Sequence, residues 1–161
     1  MAFTEGDKVV YPHHGAAVVE CLVEREMLGG RRTYIKLRLL RGLTILVPVD
    51  SAERVGLRAV SSQEDVDGVF DLLRQAEGAM PDLWPKRFKS NVTKLSSGDI
   101  YQGAEVVRDL SLMARRKGIS DAEQTLLEKA RELLISELSI ILDSTEQSAT
   151  DMVDAVLADS T

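Results

Sequence analysis

Cysteine is nearly absent. Cys21 stands alone among 161 residues, so no internal disulfide can form and a reducing cytoplasm is the expected setting. Aromatic residues make up only 4%, with Trp84 the single tryptophan. Apolar runs are a few residues long, far short of the roughly 20 that a membrane-spanning helix needs. The opening Met1-Ala2-Phe3-Thr4-Glu5 has neither a basic leader nor an apolar stretch, so no signal peptide is expected. Histidine is limited to His13 and His14. Neighbours on a strand face opposite ways, so the two rings are poorly placed to grip one metal. A phosphate-binding glycine loop is missing too, since Gly29-Gly30 is followed by neither Lys-Ser/Thr nor a helix start. No nucleophile elbow is visible, and Cys21 has no orienting partner nearby. These absences leave a binding protein, with no cofactor or small-molecule substrate, as the expectation.

What is present is an ordinary globular composition, 44% hydrophobic and 29% charged. The net charge of −6 argues at first against nucleic acid, yet it is unevenly spread. Asp143, Glu146, Asp151, Asp154 and Asp159 fall in a tail without Lys or Arg. Between Trp84 and Lys117 lie Lys86, Arg87, Lys89, Lys94, Arg108, Arg115, Arg116 and Lys117, against only Asp99, Glu105 and Asp109. A local cationic stretch is what phosphate contact requires. Solvated helix faces would give the same count.

The hydrophobic pattern divides the chain. Short strands are expected at Val9–Tyr11, Ala16–Val19, Arg32–Leu40 and Leu43–Val47. Within the third, Tyr34, Lys36 and Arg38 alternate with Ile35, Leu37 and Leu39, the period of a half-buried strand. Gly29-Gly30 supplies its hairpin turn. Short antiparallel strands with tight turns suggest a small barrel, since closure hides the edges. Helices follow. Ser61 to Glu64 and Ser120 to Glu123 read as capping boxes. Phe88, Val92 and Leu95 form an apolar stripe on a helix beginning after Asp82. Leu127, Leu134 and Ile141 recur every seven residues. Three heptads are few for a coiled-coil dimer, and packing against other helices is the expected use.

Leu83-Trp84-Pro85-Lys86-Arg87-Phe88-Lys89 is the one arrangement that invites a functional reading. Proline suits a first helical turn. Trp84 is either a staple tucked onto the bundle, with its cations solvated, or an exposed apolar wedge beside cations that hold phosphates. Minor-groove proteins combine the latter parts.

Gly6-Asp7-Lys8-Val9-Val10-Tyr11-Pro12-His13-His14-Gly15-Ala16-Ala17 closely resembles the start of the CarD/CdnL family of bacterial transcription regulators. Ala104-Glu105-Val106-Val107-Arg108-Asp109-Leu110 and Glu128-Lys129-Ala130-Arg131 resemble its helical domain. The first motif is shared with the polymerase-binding module of the transcription-repair coupling factor, so the helical motifs make the likeness specific. The resemblance implies an α+β chain: a Tudor-like antiparallel β-barrel over residues 1–56, then an all-α domain over 61–161. It implies docking on the RNA polymerase β subunit, with Arg25 in the docking surface. It implies promoter DNA contact at the upstream bubble edge, with Trp84 as a minor-groove wedge and Lys86, Arg87 and Lys89 on the DNA backbone. The resulting expectation is a regulator that stabilises the promoter open complex. Some positions depart from the family pattern. Leu46 stands where a second docking arginine is common, Ser111 where a second tryptophan is common, and Gln124 and Thr125 where basic residues are common. A polymerase-binding adaptor or a divergent paralogue with weak DNA contact is the alternative.

Overall fold

The computed structural model describes residues 3–12, 14–27, 29–40 and 42–159. The chain divides into two units, residues 1–60 and 61–161. In the first, β1 (Lys8–Tyr11), β2 (Gly15–Met27), β3 (Gly30–Leu39), β4 (Thr44–Pro48) and β5 (Arg58–Ala59) form one sheet in the order β4-β3-β2-β1-β5. Every pairing is antiparallel. The β2–β3 hairpin turns at Gly29 and Gly30, whose φ angles of 97° and 136° lie where a Cβ is strained.

The alternation in β3 decides which face is filled. Leu39 lies opposite Ala17, which in turn lies opposite Val9; Leu37 joins Val19 to Ile45, and Ile35 faces Val47. These rows, with Phe3, Ala52 and Leu57, make the core of the unit. A register shift between Val19 and Cys21 marks a β-bulge, which bends the long β2. Two features were not expected. β2 runs on to Met27, through the charged Glu24-Arg25-Glu26 stretch, and β5 adds an edge beside β1. The sheet runs from β4 at one end of its strand order to β5 at the other, an all-antiparallel layout consistent with the expected Tudor-like unit.

The second unit holds α1 (Gln63–Leu73), α2 (Trp84–Ser96), α3 (Ile100–Arg116), α4 (Asp121–Ile141) and α5 (Glu146–Asp159). Its core gathers Val69 and Leu73 of α1, Val107 and Leu110 of α3, Leu134 and Leu138 of α4, and Val153 and Leu157 of α5. The heptad residues Leu127 and Leu134 lie in that core with Ile141 against it, so the spacing serves packing inside the unit. The Ser120–Glu123 capping box forms as expected. The first box sits one residue later than expected, between Ser62 and Asp65. The backbone N–H of Ser61 instead donates to Glu137 at 2.8 Å. No helix of the described residues is long and apolar enough to cross a membrane.

One helix breaks the amphipathic rule. The expected stripe of Phe88, Val92 and Leu95 on α2 is only half-buried. Its fully buried residues are Arg87 and Asn91. α2 therefore buries polar side chains fully and adds only partly buried apolar contact such as Leu95, while the other four helices meet around oil. Leu138, completely buried at the centre of α4, makes the apolar dependence measurable. Leu138→Ala is expected to destabilise the helical unit by about 2–5 kcal/mol, read as a lowered urea midpoint by far-ultraviolet circular dichroism.

Candidate nucleic-acid interface

At the start of α2, Leu83 is the N-cap residue and Pro85 sits in the first turn. No side chain caps this end, and no acid lies in its first turn. Trp84 is 49% exposed and Leu83 64%. The indole is not sealed in the bundle. It rests edge-on against Phe88, one turn on, with ring centroids 6.5 Å apart at 76°. Such a contact supports the ring while leaving about half of the residue's surface open. Lys86 and Lys89 are exposed beside it.

Arg87 lies elsewhere. Its side chain is 6% exposed and pairs with Glu123, itself 0% exposed. Nε and Nη2 donate to the two carboxylate oxygens at 2.6 and 2.9 Å, and Nη1 donates to the Asp82 carbonyl at 3.0 Å. A guanidinium held this way has no donor fork to offer a phosphate. Expected on the DNA backbone, Arg87 is instead a structural link inside the bundle, because the helical period turns it toward α4.

The approach to Trp84 is set by the Ala104–Leu110 motif. Arg108 and Asp109 are buried and hydrogen-bonded to each other at 2.9 Å. Asp109 accepts from the Gly78 N–H at 2.9 Å, and Arg108 donates toward the Gln75 side chain at 3.3 Å. A Cβ on Gly78 would lie 2.9 Å from Arg108 Nη2, so a larger residue there would push the guanidinium aside. Met80 then meets Asn91 of α2. The motif that makes the family likeness specific is thus a packing device that ties down residues 74–83. Nothing in its spacing marks it as that.

Ion pairing engages half of the cationic stretch. Beyond Arg87 and Arg108, Lys94 pairs with Glu105 and Arg116 with Glu77, and Arg115 donates to the Leu157 carbonyl. Only Arg87 and Arg108 of these cations are buried; Arg115, Arg116 and Lys117 at the end of α3 are exposed, as are Lys86 and Lys89 beside Trp84. Gln124 and Thr125 are exposed and neutral, and Ser111 is half-buried.

In the first unit, β-sheet register gathers the other candidate surface. Arg25 stands directly opposite Arg32, and Lys36 directly opposite Leu46. Alternation puts all four on one face of the sheet. Two arginines facing across a ladder destabilise it slightly, a cost with no return inside the fold. Arg32 was not foreseen, although counting outward from the Gly29-Gly30 turn pairs it with Arg25. His14 packs edge-on against Tyr11, with centroids 4.8 Å apart; His13 lies outside the described residues.

The Arg87 hydrogen bond, helped by donors on Ser120 and opposed by burial, holds the Glu123 carboxyl below its ordinary value of 4.5. A depressed carboxylate stabilises the fold above its unfolded pKa and loses that contribution as pH falls through the folded one. The helical unit is expected to lose stability on acidification below about pH 4.5. Glu123→Gln should flatten that part of the profile, as checked by urea midpoints taken across pH.

Comparison with known proteins agrees in both units. Residues 3–61 match the CarD-like/TRCF RID domain family, and residues 68–154 match the CarD C-terminal domain family. The chain is 34% identical over 146 residues to YdeB of Bacillus subtilis (strain 168), covering 90% of this chain and 95% of that protein. YdeB carries the name of a proposed transcription factor. With both domains matched in order along its length, the chain belongs to the CarD family of transcription factors.

Proposed function

We propose that the chain docks on the RNA polymerase β subunit through its N-terminal sheet and stabilises the promoter open complex by lodging Trp84 in the minor groove at the upstream bubble edge. The observation that carries this reading is the half-exposed indole at an uncapped, cation-flanked helix start. Apolar wedges in minor-groove proteins partly unstack a base step, while basic side chains hold the backbone. Lys86 and Lys89 are the exposed cations for that contact. The free N-terminal end of α2 adds a favourable dipole for phosphate.

A bubble closes by restacking at its edges, and a ligand opposes closure only by its preference for the open state. An indole seated in an unwound junction supplies that preference, since closed duplex offers it no slot. Docking raises the local concentration of the helical unit at the DNA, so weak intrinsic affinity suffices. An acidic chain with two or three exposed cations near its wedge can act this way. The face carrying Arg25, Arg32, Lys36 and Leu46 is the docking surface in this reading. The work is done in the cytoplasm and calls for no cofactor, small-molecule substrate or catalysis.

A second reading, an adaptor that docks without touching DNA, is favoured by the internal pairing of Arg87, Lys94, Arg108 and Arg116. It leaves polymerase-dependent protection of upstream promoter DNA unchanged when the protein is added, whereas the wedge reading extends it.

Trp84→Ala is expected to leave polymerase binding intact and to shorten open-complex lifetime roughly 5-fold or more in a competitor-challenge assay. An unchanged lifetime rejects the wedge. Arg25→Glu is expected to weaken polymerase binding by about tenfold, on the order of 1.4 kcal/mol, measured by titration, with the helical unit still folded.

A further inference from the structure

We propose that the buried Arg87–Glu123 pair is a positioning device that fixes the direction in which Trp84 projects from the bundle. The inference rests on the wedge reading and deepens it by naming what aims the wedge.

Three observations converge on the pair. First, α2 has no fully buried apolar residue; Arg87 and Asn91 are its only buried positions. Apolar burial is non-directional, so oil alone does not set the angle of this helix start. Second, the Arg87 side chain joins three segments at once. It grips both oxygens of Glu123 on α4, and it donates to the carbonyl of Asp82, just before the N-cap Leu83. Trp84 lies between those anchor points. Third, the Glu123 carboxylate is itself immobilised. Its Oε1 accepts from the N–H and the hydroxyl of Ser120, both at 3.1 Å. The capping box of α4 is therefore continuous with the grip on α2. Among the described residues, no other α2 side chain is hydrogen-bonded or ion-paired to α4.

Stability does not account for this arrangement. Replacing both members of a buried ion pair by apolar or neutral groups is often neutral or stabilising, whereas removing one member strands a charge. Bidentate geometry, by contrast, fixes orientation in a way apolar contact does not. A wedge benefits from that restraint, because an ordered ring loses less freedom on binding.

The test uses the full chain carrying Arg87→Met together with Glu123→Gln. Glutamine keeps an acceptor for Ser120, preserving the cap. Because Trp84 is the only tryptophan, the anisotropy and acrylamide quenching of its fluorescence report on its own freedom. The double variant is expected to unfold cooperatively at a temperature near that of the parent and to bind polymerase equally well. Its indole should show lower anisotropy and stronger quenching, and its open complexes should dissociate roughly 5-fold faster. Parental anisotropy and parental lifetime in the folded double variant overturn the proposal. If the double variant fails to fold, Arg87→Lys keeps the charge and loses the bidentate fork. Intermediate anisotropy and lifetime then support the proposal, and parental values overturn it. The wedge reading fails separately: if Trp84→Ala leaves the lifetime unchanged while the double variant still loosens the indole, the pair positions Trp84 but the ring does not hold the bubble.

Discussion

A helix that joins a bundle without fully burying any apolar side chain leans on directional bonds for its position, and α2 is such a helix. Arg87 and Asn91 face inward where leucines would be usual, and Lys94 ties the far end to Glu105. The consequence reaches the surface. Trp84, Pro85, Lys86 and Lys89 occupy the outer side of the same helix start, so the bonds that seat α2 also decide where those groups stand. Upstream, Asp109 and Arg108 hold the segment that delivers the chain to Leu83. The exposed end of α2 is an unsupported-looking corner that is tied down from beneath on both sides.

This arrangement divides the labour between oil and charge. The four other helices meet in one apolar cluster, which stabilises the unit without specifying a fine angle. The ion pairs contribute less net stability, because burying charge costs nearly as much as pairing returns. What they contribute is geometry. The same division clarifies the net charge of −6. Half of the eight cations between Trp84 and Lys117 pair with acids of the same unit, so a DNA-contacting role has to rely on few phosphate contacts, a favourable helix end and delivery by a docked partner. In the first unit, opposed Arg25 and Arg32 show the reverse economy: charge left on a sheet face where it does nothing for the fold.

Much of the architecture was legible because it follows periods. The alternation around Ile35, Leu37 and Leu39, with Gly29-Gly30 as the turn, foretells β3 and its core face. The spacing of Leu127 and Leu134 foretells the seam of α4. Where the reading slipped, a competing bond won. The first capping box moves to Ser62 and Asp65, where the shorter aspartate also receives the Tyr101 hydroxyl at 2.9 Å. β5 is two residues long and has no room for a period. The stripe of Phe88, Val92 and Leu95 is ordinary helical arithmetic, yet the inward face belongs to Arg87 and Asn91. Buried ion pairs between distant segments leave no periodic trace, which is why Arg87 reads as a surface cation and Glu123 as a cap alone. Trp84 itself was ambiguous between staple and wedge, since exposure depends on the surrounding helices and not on its immediate neighbours.

The central claim is that the Trp84 ring meets melted promoter DNA, and contact at that position tests it most directly. A photo-crosslinking aromatic amino acid placed at residue 84, in the full chain bound to polymerase on an end-labelled promoter, maps the contact to a base step. The account predicts crosslinks confined to the upstream edge of the bubble, dependent on polymerase and lost when the duplex is closed. Crosslinks to protein alone, or to DNA equally in open and closed complexes, would contradict it.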